Sequence, residues 1–287
     1  MGNRLKKYTS RDPRLEYTTS QLFTDDNDVV DEGIDDDILY FVNELTDVYK
    51  QYVLLNFKST TSSKEEYLHD IIKHIIEKHI APFNKSGRYL MMSKTRDKFD
   101  EKSTYGEYHL DDNLGGKNID ITVFDTVKNR PVVFINCKFP LLSYGKNAYN
   151  YLENLIGESR RIKKAAPDVG LFYFYSFVSQ IPITKDDDKK ISKFDEIGKR
   201  ELEKYNNAFG EGLAISDGTF ICIADDSLEN EFGTCETLKD FINLHKKDFS
   251  LSLAGNPDDK VYENIIYNDI KCFIERILNY IEEYEKV

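Results

Sequence analysis

Residues 118–161 read NIDITVFDTVKNRPVVFINCKFPLLSYGKNAYNYLENLIGESRR, and this segment is expected to form the centre of the fold. Two apolar runs, residues 119–124 and 132–139, flank the polar connection DTVKNR and Pro131. Both runs are rich in Ile, Val and Phe and are too short for helices. The pattern therefore predicts a β-hairpin.

Polar side chains of this hairpin are expected to meet at its open end. Side chains alternate along a strand, so Asn136 and Lys138 share one face of the second run and Cys137 points the other way. Asp120 lies near the start of the first run. Asp120 and Lys138 therefore converge where the hairpin opens. Pro140 ends the second strand, because proline cannot continue a ladder.

A helix is expected next, over about residues 146–165. It carries two acidic residues, Glu153 and Glu158, in its middle part. A basic group follows them, consisting of Arg160, Arg161, Lys163 and Lys164.

This segment contains an acid and, about fifteen residues later, x-x-Lys on a neighbouring strand. That order resembles the active-site motif of the PD-(D/E)xK nucleases, especially the type II restriction endonucleases. The first acid of that motif corresponds to Asp120, in Asn-Ile-Asp rather than Pro-Asp. Its (D/E)-x-K element corresponds to Asn136, Cys137 and Lys138, so a neutral amide stands at the second acid position. The resemblance covers about 45 of the 287 residues, and the remainder matches only in the order of its elements.

Some enzymes of this family carry a neutral residue there and take the carboxylate from the following helix. The resemblance then implies Glu153, fifteen positions after Lys138, with Glu158 as the reserve candidate. We expect the Glu153 carboxylate within ~6 Å of that of Asp120, since oxygen–metal bonds are about 2–2.6 Å long. Helical spacing instead places Glu158 nearer the apolar stripe, which predicts that it is partly buried.

The resemblance also implies a magnesium site, with manganese as a substitute. Asp120 and Glu153 would hold the cation, with the backbone carbonyl of Cys137 as a third ligand. Lys138 would lie beside the attacking water and the phosphate, where an ammonium group stabilises developing negative charge. Asn136 cannot be an anionic ligand, but its amide oxygen can orient a water or a metal ligand.

A helix that opens at Ser62 or Ser63 and ends at Pro82 supplies one more candidate. Both serines match the capping box, with a glutamate three residues later. In the nuclease family, a glutamate on the first core helix often joins the metal site. Glu65 has the matching context, E-x-x-L followed by an Ile pair. A capping role for Glu65 is an equally strong alternative.

Histidines and cysteines show no metal-binding motif. The histidines of this helix are spaced by five, which spreads them around it, and they are His69, His74 and His79. The cysteines show no C-x-x-C spacing, and they are Cys137, Cys222, Cys235 and Cys272. Three of these lie in apolar patterns typical of buried, reduced thiols. A zinc site is therefore not expected.

The composition describes a globular chain with 40% apolar residues, a net charge of −12 and a pI near 5.0. This charge gives no support for nucleic-acid binding, since phosphate-binding domains are usually basic. A local basic patch and a bound cation nevertheless act at short range. No apolar run approaches the ~20 residues that cross a bilayer, and no secretory signal is present. We expect a cytoplasmic protein without membrane contact.

The whole chain predicts an α/β fold, a restriction-endonuclease-like mixed central sheet flanked by helices, with helical N- and C-terminal segments. Residues 1–30 predict an extended or partly ordered arm. Residues 31–287 predict a single nuclease-like domain, with a core over about 63–250 and a C-terminal helix over 260–285. The other expected elements are helices over 38–55, 194–209 and 234–248, strands over 88–95, 169–178 and 218–224, a substrate-contacting loop over 96–117 and a turn over 181–193.

The expected function is a magnesium-dependent endonuclease that resembles type II restriction enzymes. It would cut double-stranded DNA as a homodimer, since two strands need two sites. The alternative is a catalytically inactive nuclease-fold protein that binds DNA or regulates a partner, which Asn136 and the net charge favour. In a third possibility the motif is accidental, and Asp120 and Lys138 lie far apart.

Overall fold

The computed structural model describes residues 32–54, 61–82, 84, 86–93, 106–112, 115–185, 189–256 and 261–286. The expected arm over residues 1–30 lies outside this range. Residues 33–287 group into one compact unit.

Six α-helices, eleven strands and one 3-10 helix make up the part of the chain that the structure describes. Their order is α1 (Glu32–Leu54), α2 (Thr61–Ile80), β1 (Tyr89–Ser93), β2 (Tyr108–Leu110), β3 (Lys117–Ile119), β4 (Ile121–Asp125), β5 (Arg130–Lys138), α3 (Tyr144–Ala165), β6 (Gly170–Val178), β7 (Gln180–Thr184), β8 (Ile191–Glu196), α4 (Lys199–Gly210), β9 (Gly218–Asp226), a 3-10 helix (Glu229–Thr234), α5 (Leu238–Leu244), β10 (Leu251–Leu253), β11 (Ile266–Tyr267) and α6 (Ile270–Glu285).

A seven-stranded mixed sheet lies at the centre, in the order β1-β4-β5-β6-β9, with β10 and β11 along the outer edge of β9. The hairpin β4–β5 and the pair β1–β4 are antiparallel. Strands β5, β6 and β9 are parallel to one another. Two small antiparallel pairs, β2–β3 and β7–β8, lie outside this sheet. The prediction of an α/β fold with a mixed central sheet and flanking helices is confirmed at this level.

Helices cover both faces of the sheet, which explains why β5 and β6 are almost continuously apolar and buried. On one face, residues of α1, α2 and α6 form a core with Phe174 and Phe220. On the other face, residues of α3 and α4 pack against Tyr173 and Tyr175. Alternate residues of β6 thus point into two separate cores, as the strand geometry requires.

Several predicted elements differ from the structure in type or boundary. The predicted turn over 181–193 contains strands of the β7–β8 hairpin, and the predicted helix over 194–209 begins only at Lys199. Its first residues belong to β8, where Glu196 pairs with Gln180. The predicted C-terminal helix over 260–285 begins at Ile270, because Asp269 caps it by accepting the backbone N–H of Cys272.

The predicted helix over 234–248 is shorter than expected. It comprises Leu238–Leu244, and Thr237 and Asp240 form a capping box at its start. Among the described residues, no helix combines the length and the apolar character that a bilayer crossing demands.

Candidate functional site

Asp120 lies at a break in the strand that was expected over residues 119–124. Strand β3 ends at Ile119 and β4 begins at Ile121. The last paired residues of the β4–β5 hairpin at this end are Ile121 and Ile135. One step beyond them, the Cys137 backbone N–H donates to Asp120 Oδ2 at 2.7 Å. The carboxylate therefore satisfies a β5 donor just where the hairpin opens.

Two basic side chains approach the same carboxylate oxygen without bonding to it. Lys138 Nζ lies 3.9 Å from Asp120 Oδ2, and His69 Nε2 of α2 lies 3.8 Å from it. Both distances exceed the range of a hydrogen bond. The two groups therefore flank Asp120 at ion-pair distance without hydrogen bonding to it.

A cavity of about 80 Å³ opens beside Lys138, between α3 and strands β5 and β6. Its volume suits a few water molecules or a hydrated cation, but not a nucleotide. The lining combines amide, ammonium, carboxylate and phenol groups, and consists of Asn136, Lys138, Tyr151, Asn154, Leu155, Glu158, Tyr173 and Tyr175.

Some buried polar atoms of the residues that line this cavity have no hydrogen-bond partner among the described residues. They are both amide atoms of Asn136, which is 1% exposed, and the hydroxyl of Tyr173. A buried polar group without a hydrogen bond costs about 1–3 kcal/mol. We therefore expect the cavity to hold a polar occupant that bonds to Asn136.

The two tyrosines of β6 remain protonated beside this cavity. Burial raises the pKa of Tyr173 and of Tyr175 well above the ordinary value, and the negative charge of Glu158 raises both further. The charge of Asp120 contributes in the same direction. Both phenols are therefore neutral hydrogen-bonding groups. Glu158 and Asp120 both raise the pKa of these two tyrosines.

The acid that lines this cavity is Glu158, whereas Asp120 lies outside the lining. The Glu158 side chain is 21% exposed, as the apolar stripe predicted, and Oε2 accepts a hydrogen bond from Lys117 Nζ at 2.7 Å. Glu153 lies five positions earlier on α3, is exposed and does not line the cavity. Of the two candidate glutamates, only Glu158 lines this cavity, because helical rotation carries Glu153 to another side of α3.

Two other metal ligands were expected, Glu65 and the backbone carbonyl of Cys137. Glu65 lies within α2, but its side chain is outside the described residues. Cys137 is fully buried, and its backbone N–H is the group that meets Asp120.

The histidines of α2 do not gather into one cluster. The ring of His74 contacts that of Tyr40 in a tilted arrangement, and His79 pairs with Asp37. His69 alone approaches Asp120, and the sequence analysis missed it as a site residue. The available signal was a histidine on the buried face of α2 beside Leu68. The spacing between the histidines carries no information about their distance from Asp120, so it could not reveal this contact.

The basic residues of α3 are largely engaged inside the fold. Arg160 donates to two loop carbonyls, Arg161 pairs with Asp112, and Lys163 pairs with Asp217 at 2.6 Å. These residues therefore anchor loops, and they do not form an open phosphate-binding stripe.

The expected substrate-contacting loop is described only in part. Gly115 and Gly116 have φ values of 104° and 78°, and a Cβ on Gly116 would lie 2.4 Å from His109 Nε2. Close backbone approach at this turn therefore requires glycine. His109 itself is exposed on β2. Outside the described residues lie Lys94, Arg96, Lys98, Lys102 and Tyr105.

Fold and site together define an α/β protein with a polar cavity beside Lys138, where β5 ends. Comparison of the chain with protein-family models, curated proteins and solved structures finds no match in any of the three. The geometry of the residues is therefore the basis for a functional assignment.

Proposed function

We propose that this protein is a metal-dependent endonuclease that resembles the type II restriction enzymes and hydrolyses phosphodiester bonds of double-stranded DNA. One observation carries the proposal. Lys138 Nζ lies 3.9 Å from Asp120 Oδ2, at the point where β4 and β5 separate. A cavity lined by Asn136 and Glu158 lies directly beside Lys138.

The residues present fit a hard divalent cation. The Asp120 and Glu158 carboxylates and the Asn136 amide offer oxygen atoms, which such ions prefer. The unpartnered buried amide of Asn136 and the space for a few waters suit a partly hydrated ion. Bound there, Mg²⁺ or Mn²⁺ would supply positive charge for the phosphate and would make a neighbouring water more acidic. Asp120 and Glu158 are the residues that would hold it.

The chain's own groups have distinct roles in this proposal. The Lys138 ammonium stabilises the negative charge that develops on the phosphate. The Cys137 N–H holds the Asp120 carboxylate in place. Asn136 orients a water in the cavity. The neutral phenols of Tyr173 and Tyr175 add hydrogen bonds without adding negative charge.

The substrate approaches from outside, because the cavity is too small for a nucleotide. The side chains of Lys138 and Asp120 are 29% and 16% exposed, so the phosphate can reach them. A homodimer is part of the proposal because cutting two antiparallel strands needs two sites.

Cleavage assays test this proposal directly. Plasmid and phage DNA are incubated with the purified chain and Mg²⁺, Mn²⁺ or EDTA. The expected result is nicking or linearisation that depends on the metal and disappears with Asp120→Asn. Absence of metal-dependent cutting on every DNA and RNA substrate would contradict it.

A catalytically inactive nuclease-fold protein that binds DNA or regulates a partner is the second candidate. Two observations favour it: Asn136 carries no charge, and Glu158 is already paired with Lys117 at 2.7 Å. Asn136→Asp discriminates between the candidates. If the missing acid alone silences the site, this variant cleaves DNA with Mg²⁺ while the natural chain only binds it. An active natural chain rules the second candidate out.

A further inference from the structure

We infer that His69, Asp120 and Cys137 form a binding site for a transition-metal ion of the Zn²⁺ and Co²⁺ class. The site shares Asp120 with the proposed active centre. Its ion binding stands on its own, whereas any part it plays in cleavage rests on the proposed function.

The distances between the donor atoms support this inference. The nearest donors of His69, Asp120 and Cys137 all lie within 4.8 Å of one another, and His69 Nε2 is 3.8 Å from Asp120 Oδ2. Zinc bonds of about 2.0–2.3 Å place two ligands of one ion roughly 3–4.5 Å apart. The separation between His69 and Asp120 is therefore too long for a hydrogen bond and suits two ligands of one ion.

The donor set determines which ion fits. Mg²⁺ and Ca²⁺ bind oxygen ligands, whereas an imidazole nitrogen with a thiolate sulfur favours Zn²⁺, Co²⁺ and related ions. On binding, the Cys137 thiol releases its proton to solvent. The charges of the thiolate and the Asp120 carboxylate then balance the two charges of the ion.

Strand alternation and the packing of α2 create this arrangement. Along β5, Asn136 and Lys138 face the cavity near α3, whereas Cys137 belongs to the core on the α2 side. His69 is 3% exposed and Cys137 is fully buried, so both donors are shielded from water. Asp120 is 16% exposed and gives an ion a route from solvent.

Cobalt titration of the full chain, followed by absorption spectroscopy, tests the inference. We expect a near-ultraviolet thiolate-to-cobalt charge-transfer band that Zn²⁺ abolishes and Mg²⁺ leaves unchanged. Cys137→Ser should remove this band, and His69→Gln should weaken cobalt affinity at least about tenfold. The matched controls are Cys222→Ser, a buried thiol on β9, and His74→Gln, an exposed histidine of α2. Both should behave as the natural chain does.

A natural chain without the charge-transfer band, or a band that persists in Cys137→Ser, overturns the inference. Because His69 and Cys137 are buried, circular dichroism must show that each variant is folded. If one is not, zinc X-ray absorption on the natural chain decides. Sulfur and imidazole neighbours support the site, and an all-oxygen shell refutes it. The cleavage assay with Mg²⁺ remains separate, so a cobalt band without cleavage leaves this inference standing and refutes only the nuclease.

Discussion

Two aspartates stand at the two ends of β4, and their surroundings differ. Asp125 is fully buried and accepts hydrogen bonds from the Arg88 guanidinium at 2.7 and 3.0 Å. It also accepts the Tyr284 hydroxyl and two backbone N–H groups of the following turn. Asp120 accepts one short bond, from the Cys137 N–H, and its nearest side-chain bases remain 3.8 and 3.9 Å away.

This difference separates a structural acid from a candidate ligand. Burial alone would raise the pKa of Asp125, but Arg88 and the turn N–H groups lower it to about 2. The oxygens of Asp125 are therefore committed to the junction of β1, β4 and α6. Asp120 is held by the backbone and faces bases at longer range, so an ion or a phosphate can still approach it. Contact distance, and not residue type, therefore distinguishes the two aspartates.

The largest expected effect comes from Asp120→Asn. We expect a loss of metal-dependent cleavage of about 1000-fold or more, because the charge that holds the cation is removed. Stability should change by less than about 1 kcal/mol, since the amide oxygen still accepts the Cys137 N–H. Plasmid cleavage rates and urea unfolding measure the two effects. A large loss of stability would mean that Asp120 is structural in the same way as Asp125.

Arg88→Met should produce the opposite pattern. Removing the guanidinium leaves the Asp125 carboxylate buried without its cation, which costs about 3 kcal/mol. Urea unfolding should show this loss, whereas cleavage per folded molecule at low temperature should stay unchanged. Loss of cleavage in the folded variant would contradict the assignment of a structural role to Asp125 and a functional role to Asp120.

Glu158→Gln sharpens the assignment of the second acid. We expect about a 100-fold fall in cleavage, because Glu158 lines the cavity with Lys138. The matched control is Glu153→Gln on the same helix, which should keep nearly full activity because Glu153 is exposed. The reverse result would return the role to Glu153.

Acid unfolding provides the smallest and most specific comparison. The pKa of Asp125 is lower in the folded state than the unfolded value of about 3.9, so its stabilisation is complete above about pH 4. That stabilisation is lost as the pH falls towards 2, with a slope of at most about 1.4 kcal/mol per pH unit from this group. Unfolding midpoints between pH 5 and 2 should show a shallower slope in Asp125→Asn. An unchanged slope in Asp125→Asn would argue against this role of Asp125.

Much of the core could be predicted from hydrophobic patterns. Strand β6 and the hairpin β4–β5 follow from apolar runs bounded by turn residues. The β7–β8 hairpin was missed because β8 is short and half polar, so it contains no continuous apolar run. Residues near 265 look helical by spacing, but Ile266 pairs with Phe220 of β9 and the helix starts only after Asp269.

The candidate site divides in the same way. Alternation along β5 placed Asn136 and Lys138 on one face, and the hairpin placed Asp120 near them. Counting positions from Lys138 favoured Glu153, whereas the rotation of α3 brings Glu158 to the cavity. His69 is about fifty positions before Asp120, and no spacing rule connects them.

By itself, therefore, the sequence determined the strands of the central hairpin, the helix after it and the acid and lysine at its open end, because these depend on periodicity within short segments. Only the tertiary structure decided which glutamate faces the cavity, that Asn136 is buried without a partner, and that His69 and Cys137 meet at Asp120. Those features depend on how α2 and α3 rotate and pack on opposite faces of β5. Packing of that kind joins residues distant in the chain, and local patterns carry no information about it.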